Sequence, residues 1–282
     1  MQFIKASIIT IGDELLIGQV IDTNSAYIAQ SLNKIGVTVS NRIAVGDDKN
    51  AILDALSNTS KQSNIVIITG GLGPTADDIT KPLLNEYFGG KLVIHQPSLD
   101  HITDIFLNKY KRPLIERNIK QAEVPDVCEV LFNENGTAPG MLFEKEGVLY
   151  FSLPGVPHEM KGLVDKYVIS KIKRSFKTPS IVHRTLLTAG LGESFLAEII
   201  ADFENALPSH IKLAYLPNFG MVRLRLTGTS DNENELITNM EAVFAELKVK
   251  VQAYLVTDKD EAREVVVGGL LRANNQTVAT AE

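Results

Sequence analysis

The segment Asn64–Thr80, NIVIITGGLGPTADDIT, limits what this chain can fold into more than any other stretch. Ile65, Val66, Ile67 and Ile68 form a short β-branched run, the pattern of a central parallel strand covered on both faces. Gly70, Gly71 and Gly73 follow at once and remove the Cβ atoms that would keep a ligand away from backbone N–H groups. Asp77 or Asp78 can then cap a helix that ends near Gly89 and Gly90. Strand, glycine turn and helix start together make an anion cradle. Carboxylates beside a phosphate repel it unless a divalent cation bridges the two. The same residues therefore point to phosphate and metal together.

Three further segments repeat this design. Phe3–Ile11 reads as a strand ending in GDE, followed by a helix that Thr23, Asn24 or Ser25 can cap and whose Ile28, Leu32 and Ile35 share one face. Val37–Val45 is a strand ending in GDD, followed by a helix over Asn50–Ser60. Val148–Leu153 is a strand ending in PGVPHEM, with a helix from about Pro157. Such alternation predicts an α/β fold with a doubly wound, mostly parallel sheet. The loops at the carboxyl ends of its strands then gather along one crevice. Polar and glycine residues accumulate at one end of each apolar strand, which packing alone does not require.

Elsewhere the pattern is plainer. The segment from Gly90 to Gln121 reads as polar and helical, anchored by Ile102, Ile105, Phe106 and Leu107. Val130–Phe151 reads as strands joined by turns at Asn135-Gly136 and Glu146-Gly147. A boundary falls near Lys177–Pro179. Beyond it a small α+β module is predicted: strand Ile181–Thr188, helix Glu193–Leu207, strands Ile211–Leu216 and Met221–Thr227, helix Asn234–Leu247. Phe195, Leu196, Ile199, Phe203 and Leu207 give its first helix an apolar stripe. From Asp258 a further helix carries Val265, Val266, Leu270 and Leu271, then a short strand runs over Thr277–Ala281.

Composition excludes several classes. The chain has 282 residues and a formal net charge of -6, which argues against a general nucleic-acid binder. A single cysteine, Cys128, allows no internal disulfide and no cysteine-cluster zinc site. No apolar run reaches the ~18 residues of a membrane span, and the N-terminus reads as a strand and not a signal peptide. A cytoplasmic protein with no membrane partner is the expectation.

Each motif has a structural alternative. GGLGPTADD lacks the Lys-Ser/Thr ending of a P-loop and the spacing of a dinucleotide fingerprint. Its glycines can simply serve a tight turn. Asp13 and Glu14 follow a strand directly, and capping accounts for one of them. Asp47 and Asp48 fit an Asp-rich turn equally well. Glu159 suits the positive end of a helix, and His158 a solvent-facing helix start. NENGTAPG, residues 133–140, is a hairpin turn or a loop closing over a ligand, the turn being the simpler reading. No histidine pair has zinc spacing, so a hard, oxygen-ligated ion such as Mg²⁺ is the better metal. Arg223 and Arg225 share one strand face, either solvated or facing phosphate.

TIGDELLIGQVIDTN, ITGGLGPTADDITK, NENGTAPGM, LPGVPHEM and GLGES, in that order, resemble the competence/damage-inducible CinA family along the whole chain. The first part also looks like the molybdopterin-binding domain of molybdenum-cofactor proteins. The resemblance implies a molybdopterin-binding-like nucleotide-binding domain over 1–176, a KH-type α+β module over 177–256, and the start of a third, deamidase domain over 257–282. The module has no GXXG loop between two helices, so RNA binding is not implied. With only the opening VATAE of the third domain, nicotinamide mononucleotide deamidation is not expected of these residues. The implied activity is metal-dependent hydrolysis of the ADP-ribose pyrophosphate to AMP and ribose 5-phosphate. In that reading Thr69, Gly70, Gly71, Gly73 and Thr75 cradle the diphosphate, and Asn24, Pro154, Gly155 and Pro157 shape the ligand pocket. Asp13, Asp47 and Asp78 hold a divalent ion, Mg²⁺ or similar, and Glu14, Asp78 or Glu159 serves the chemistry. The alternatives are a non-catalytic molybdopterin- or nucleotide-binding module and a scaffold without chemistry of its own. Apolar residues left exposed toward the C-terminus make a homodimer the expected assembly.

Overall fold

The computed structural model describes residues 4–261 and 263–279. The chain divides into two compact units, residues 1–178 and 179–282. The first opens with β1 (Lys5–Ile11), a short α1 (Asp13–Leu16), α2 (Thr23–Asn33), β2 (Thr38–Val45) and α3 (Lys49–Ser60). Next come β3 (Ile65–Thr69), α4 (Thr80–Phe88), β4 (Leu92–Ile94), α5 (Gln96–Asp104) with a following π turn, and α6 (Glu116–Gln121). It closes with β5 (Glu123–Pro125), β6 (Glu129–Leu131), β7 (Gly140–Lys145), β8 (Val148–Leu153), α7 (Pro157–Leu163), a π turn and α8 (Ile169–Ser175).

Its main sheet has the order β2-β1-β3-β8-β7-β6. The pairs β1/β2, β1/β3 and β3/β8 are parallel, and β7 and β6 are added antiparallel. Every residue of β3 is buried, as a strand covered on both faces must be. Alternation along β1 and β3 divides their side chains between two cores. Ile8 and Ile67 pack with Ile28 and Leu32 of α2 and with Met160 and Leu163 of α7. Ile9 and Ile68 pack on the other face with Ile52 and Leu56 of α3 and Leu84 of α4. Helices on both faces and a sheet that grows outward from β1 in both directions make the doubly wound arrangement. The reversal between β1 and β3 sets the crevice at their carboxyl ends.

The segment between Gly90 and Gln121 departs from its expectation. It is only partly helical, and β4 pairs with β5 in a separate two-stranded sheet. Of the four predicted anchors only Ile102 is buried, and Leu107 is exposed. The helix unwinds into the π turn Ile105–Lys109, which turns those side chains off the buried line.

The second unit comprises β9 (Ser180–Ala189), α9 (Glu193–Ile199), α10 (Ala201–Asn205), β10 (Ile211–Asn218), β11 (Met221–Ser230), α11 (Glu233–Lys250), β12 (Leu255–Thr257) and α12 (Arg263–Ala273). Its antiparallel sheet runs β10-β11-β9-β12, and Leu186, Leu224, Met240 and Phe244 lie in its core. The single predicted helix over residues 193–207 is broken at Ile200, whose φ of -108° lies outside helical values. On either side of the break Leu196 and Phe203 are buried, as is Ile200 itself, while Phe195 is left exposed. Val265, Val267 and Leu270 of α12 are exposed as well. Of the strand expected over 277–281, residues 277–279 lie in no regular element and the rest lies outside the described residues. No described helix is long and apolar enough to cross a membrane.

Candidate functional site

The four strand-end loops meet where the sheet predicts. Between the ends of β1, β3 and β8 lies a cavity of about 120 Å³, lined among others by Thr10, Glu14, Asp22, Asn24, Thr69 and Gly155. Asn24 ties its walls together, its Nδ2 donating to the Gly155 carbonyl at 2.7 Å and to Thr69 Oγ1 at 3.3 Å. The Thr69 hydroxyl donates in turn to the Pro154 carbonyl at 2.8 Å, so the PG turn and β3 are locked together. Asn24 Oδ1 is buried and has no protein partner among the described residues. Gly155 packs against Gly70, and Pro157 also lines the cavity.

Two acids beside this crevice are joined through their backbone N–H groups. Asp13 N–H donates to Asp47 Oδ2 and Asp47 N–H donates to Asp13 Oδ1, each at 3.2 Å. The bonds clasp the GDE and GDD loops, with the Asp13 carboxylate lying against Gly46. Partial burial raises the Asp47 pKa above the ordinary carboxylate range, helped by the charges of Asp13, Glu14 and Asp77 and opposed by the Asp13 N–H. Asp48, the next residue, instead caps α3 by accepting from Ala51 N–H.

Asp78 does not join Asp13 and Asp47. Its Oδ1 accepts from Gly73 N–H at 2.8 Å, and its Oδ2 accepts from the Thr75 N–H and hydroxyl. The carboxylate thus closes the glycine-rich loop on itself. Neither Asp77 nor Asp78 caps the following helix, whose N-cap is Ile79 without a side-chain bond. Among the described residues, no group of three or more His, Cys, Asp or Glu side chains is placed to hold a metal. The expected three-aspartate set is therefore reduced to Asp13 and Asp47. Two carboxylates still suit Mg²⁺, which commonly takes one or two from protein and the rest from phosphate and water.

The glycines answer to the fold first. Gly70 has a φ of 111°, and a Cβ there would run into the Ile11 carbonyl of the neighbouring strand. Gly71, at a φ of 63°, lies against the Thr80 hydroxyl. Gly73 and Thr75 border a different cavity on the α6 side of the loop, together with Asp78 and Lys81. The predicted cradle is split: Thr69 faces the crevice, Gly73 and Thr75 do not line it.

Glu14 lines the crevice cavity, whereas Glu159 is held by Asn133 Nδ2 at 2.6 Å and packs on Gly136. Asn133 also donates to the Ala138 carbonyl, so NENGTAPG is the hairpin loop between β6 and β7, fastened to α7 through Glu159. His158 reaches the Asn135 carbonyl of the same loop. Arg223, in the second unit, forms an ion pair with Asp260.

Two features escape a reading by motif. Asp22 is the N-cap of α2 in place of Thr23, Asn24 or Ser25, and it also accepts from the Thr10 hydroxyl at 3.2 Å. The Asp-x-x-Ser spacing was the available signal, because Ser25 N–H is its capping partner. Beside it the segment Leu16–Ile21 leaves Ile17 and Ile21 at 74% and 84% exposure, and Ile21 lines the cavity together with Leu15 and Val20.

Both units of the chain are similar to known proteins. Residues 7–174 match the family described as "Probable molybdopterin binding domain", and residues 183–257 match "Damage-inducible protein CinA KH domain". A CinA-like protein of Flavobacterium psychrophilum is 50% identical over 99% of this chain and 67% of its own length. One from Cytophaga hutchinsonii is 46% identical over 99% of this chain and 66% of its own. The chain thus spans about two thirds of the length of these relatives. A crystal structure described as CinA of unknown function from Thermoplasma acidophilum superposes with a TM-score of 0.54 at 34% identity, covering 62% of this chain and 99% of that one.

Proposed function

The chain belongs to the CinA family, and from that premise we propose that its first unit is a metal-dependent hydrolase that splits the pyrophosphate of ADP-ribose into AMP and ribose 5-phosphate. The observation that supports this reading most is the Asp13–Asp47 clasp, set beside a cavity at the reversal point of a doubly wound sheet. Such crevices take phosphate-bearing ligands, and two neighbouring carboxylates with no cationic partner among the described residues suit a divalent ion shared with a diphosphate. When bound, that ion would polarise a phosphoryl oxygen and lower the pKa of an attacking water.

The chain's own residues would do the remaining work. Glu14, in the cavity wall, is placed to orient a water and accept its proton. Asn24, with Oδ1 unpartnered, offers an acceptor to an N–H or O–H of the ligand. Leu15, Val20 and Ile21 supply an apolar wall for a base or sugar face. Glu159 and Asp78 act at one remove, holding the hairpin loop and the glycine loop in place.

A second reading is a pterin- or nucleotide-binding module without turnover. The match to a molybdopterin-binding family and the loss of Asp78 from the acidic set favour it. Incubation with ADP-ribose and a panel of divalent cations separates the two. AMP that forms only with metal supports the hydrolase. Retention of a pterin or nucleotide without AMP, from folded protein, supports the binder and rejects the hydrolase.

A further inference from the structure

The cavity on the α6 side of the glycine-rich loop is separate from the crevice and has a volume of about 220 Å³. Three cationic side chains line it: Lys81 from α4, and Arg117 and Lys120 from α6. Lys81 is unusual among them, being only 8% exposed. Its ammonium donates to the Gln121 carbonyl at 3.0 Å and the Lys120 carbonyl at 3.3 Å, the open carbonyls at the end of α6. Two of its three N–H donors are used this way, and among the described residues no carboxylate lies within ion-pair distance. Burial brings the Lys81 pKa down to about 8, against the pull of Glu123 and Asp78.

The other two cations are exposed. Lys120 pairs with Glu116 on the solvent side, and Arg117 has no ion-pair partner among the described residues. Against these three cations the lining sets two carboxylates, Asp78 and Glu123, so one positive charge is left over when Lys81 is protonated. Asp78 already accepts three hydrogen bonds from its own loop, and Glu123 acts on Lys81 without forming an ion pair. Buried ammonium groups are ordinarily paired, and an exposed guanidinium beside one is suited to gripping phosphate oxygens.

We propose that this cavity is a phosphomonoester subsite, in which Arg117 and Lys120 grip the phosphate and the free donor of Lys81 completes it. The proposal does not depend on turnover in the crevice, since the two cavities share no lining residue.

Titration calorimetry of the full chain with inorganic phosphate, and separately with ribose 5-phosphate, tests it. Saturable binding is expected for at least one of them, at least tenfold weaker in Arg117→Ala and partly restored in Arg117→Lys. Tighter binding of the sugar phosphate identifies a phosphosugar ligand, and equal binding identifies phosphate itself. Occupancy should also slow acylation of Lys81 at pH 8, read by peptide mass spectrometry. Asp47→Asn, in the crevice, should leave these affinities unchanged. Binding lost in Asp47→Asn but retained in Arg117→Ala would place the phosphate in the crevice and overturn the proposal. Absence of saturation with either ligand, or equal affinity in wild type and Arg117→Ala, would overturn it too.

Discussion

Asp47 shows what the acidic crevice costs the folded protein. Its pKa is raised by burial and by three neighbouring carboxylates, so the ionised form is disfavoured in the folded state relative to the unfolded one. The cost is absent below the ordinary carboxylate pKa of about 4, grows as pH rises through the raised value, and is fully present at neutrality. Asp47→Asn keeps an acceptor for the Asp13 N–H and removes the charge. The variant should melt a few degrees higher than wild type at pH 7, with a gain that shrinks toward pH 4. Thermal scans across that range check the sign; a variant less stable at pH 7 would contradict it. A divalent ion between Asp13 and Asp47 should stabilise wild type and leave the variant nearly unchanged. Residues placed in a site by their chemistry are often destabilising without their ligand.

At the scale of the element, the turn after β3 answers to both packing and ligand access. Gly70 needs a positive φ and a neighbour-free Cα face because the Ile11 carbonyl of β1 passes against it. Gly70→Ala should therefore cost roughly 2–4 kcal/mol, the sum of a left-handed penalty and a steric clash. Gly18→Ala has the same kind of φ, 73°, but open space, and should cost only about 1 kcal/mol. Denaturant midpoints of the two variants check the contrast. The turn was readable in sequence because three glycines follow a β-branched run, and so were the parallel strands. What Asp78 does was not readable. Its bonds to Gly73 and Thr75 depend on how the loop curls, and the spacing of the motif does not encode that. The same holds for Lys81, whose acceptors lie about 40 residues away on α6. Helix 193–207 reads as continuous because its apolar residues keep a helical period, and Leu196, Ile200 and Phe203 keep it across the break, so that period does not encode the backbone departure at Ile200.

Over the whole molecule, each hydrophobic core is confined to one unit. The two cores flanking the main sheet draw only on residues before 179, and the third only on residues after it. All the crevice residues fall in the first unit. A chain ending at Thr178 should fold on its own, with one cooperative transition and undiminished turnover; a molten or insoluble fragment would show that the second unit is needed. The proposed hydrolysis depends on the Asp13–Asp47 clasp and not on the loop held by Asp78. It is tested most directly by AMP release from ADP-ribose, at saturating divalent cation, in Asp47→Asn and Asp78→Asn measured side by side. Asp47→Asn should lose at least a hundredfold in kcat, while Asp78→Asn should keep metal-dependent turnover with a lowered melting temperature. Full turnover in Asp47→Asn, or its abolition in a stably folded Asp78→Asn, would contradict that claim.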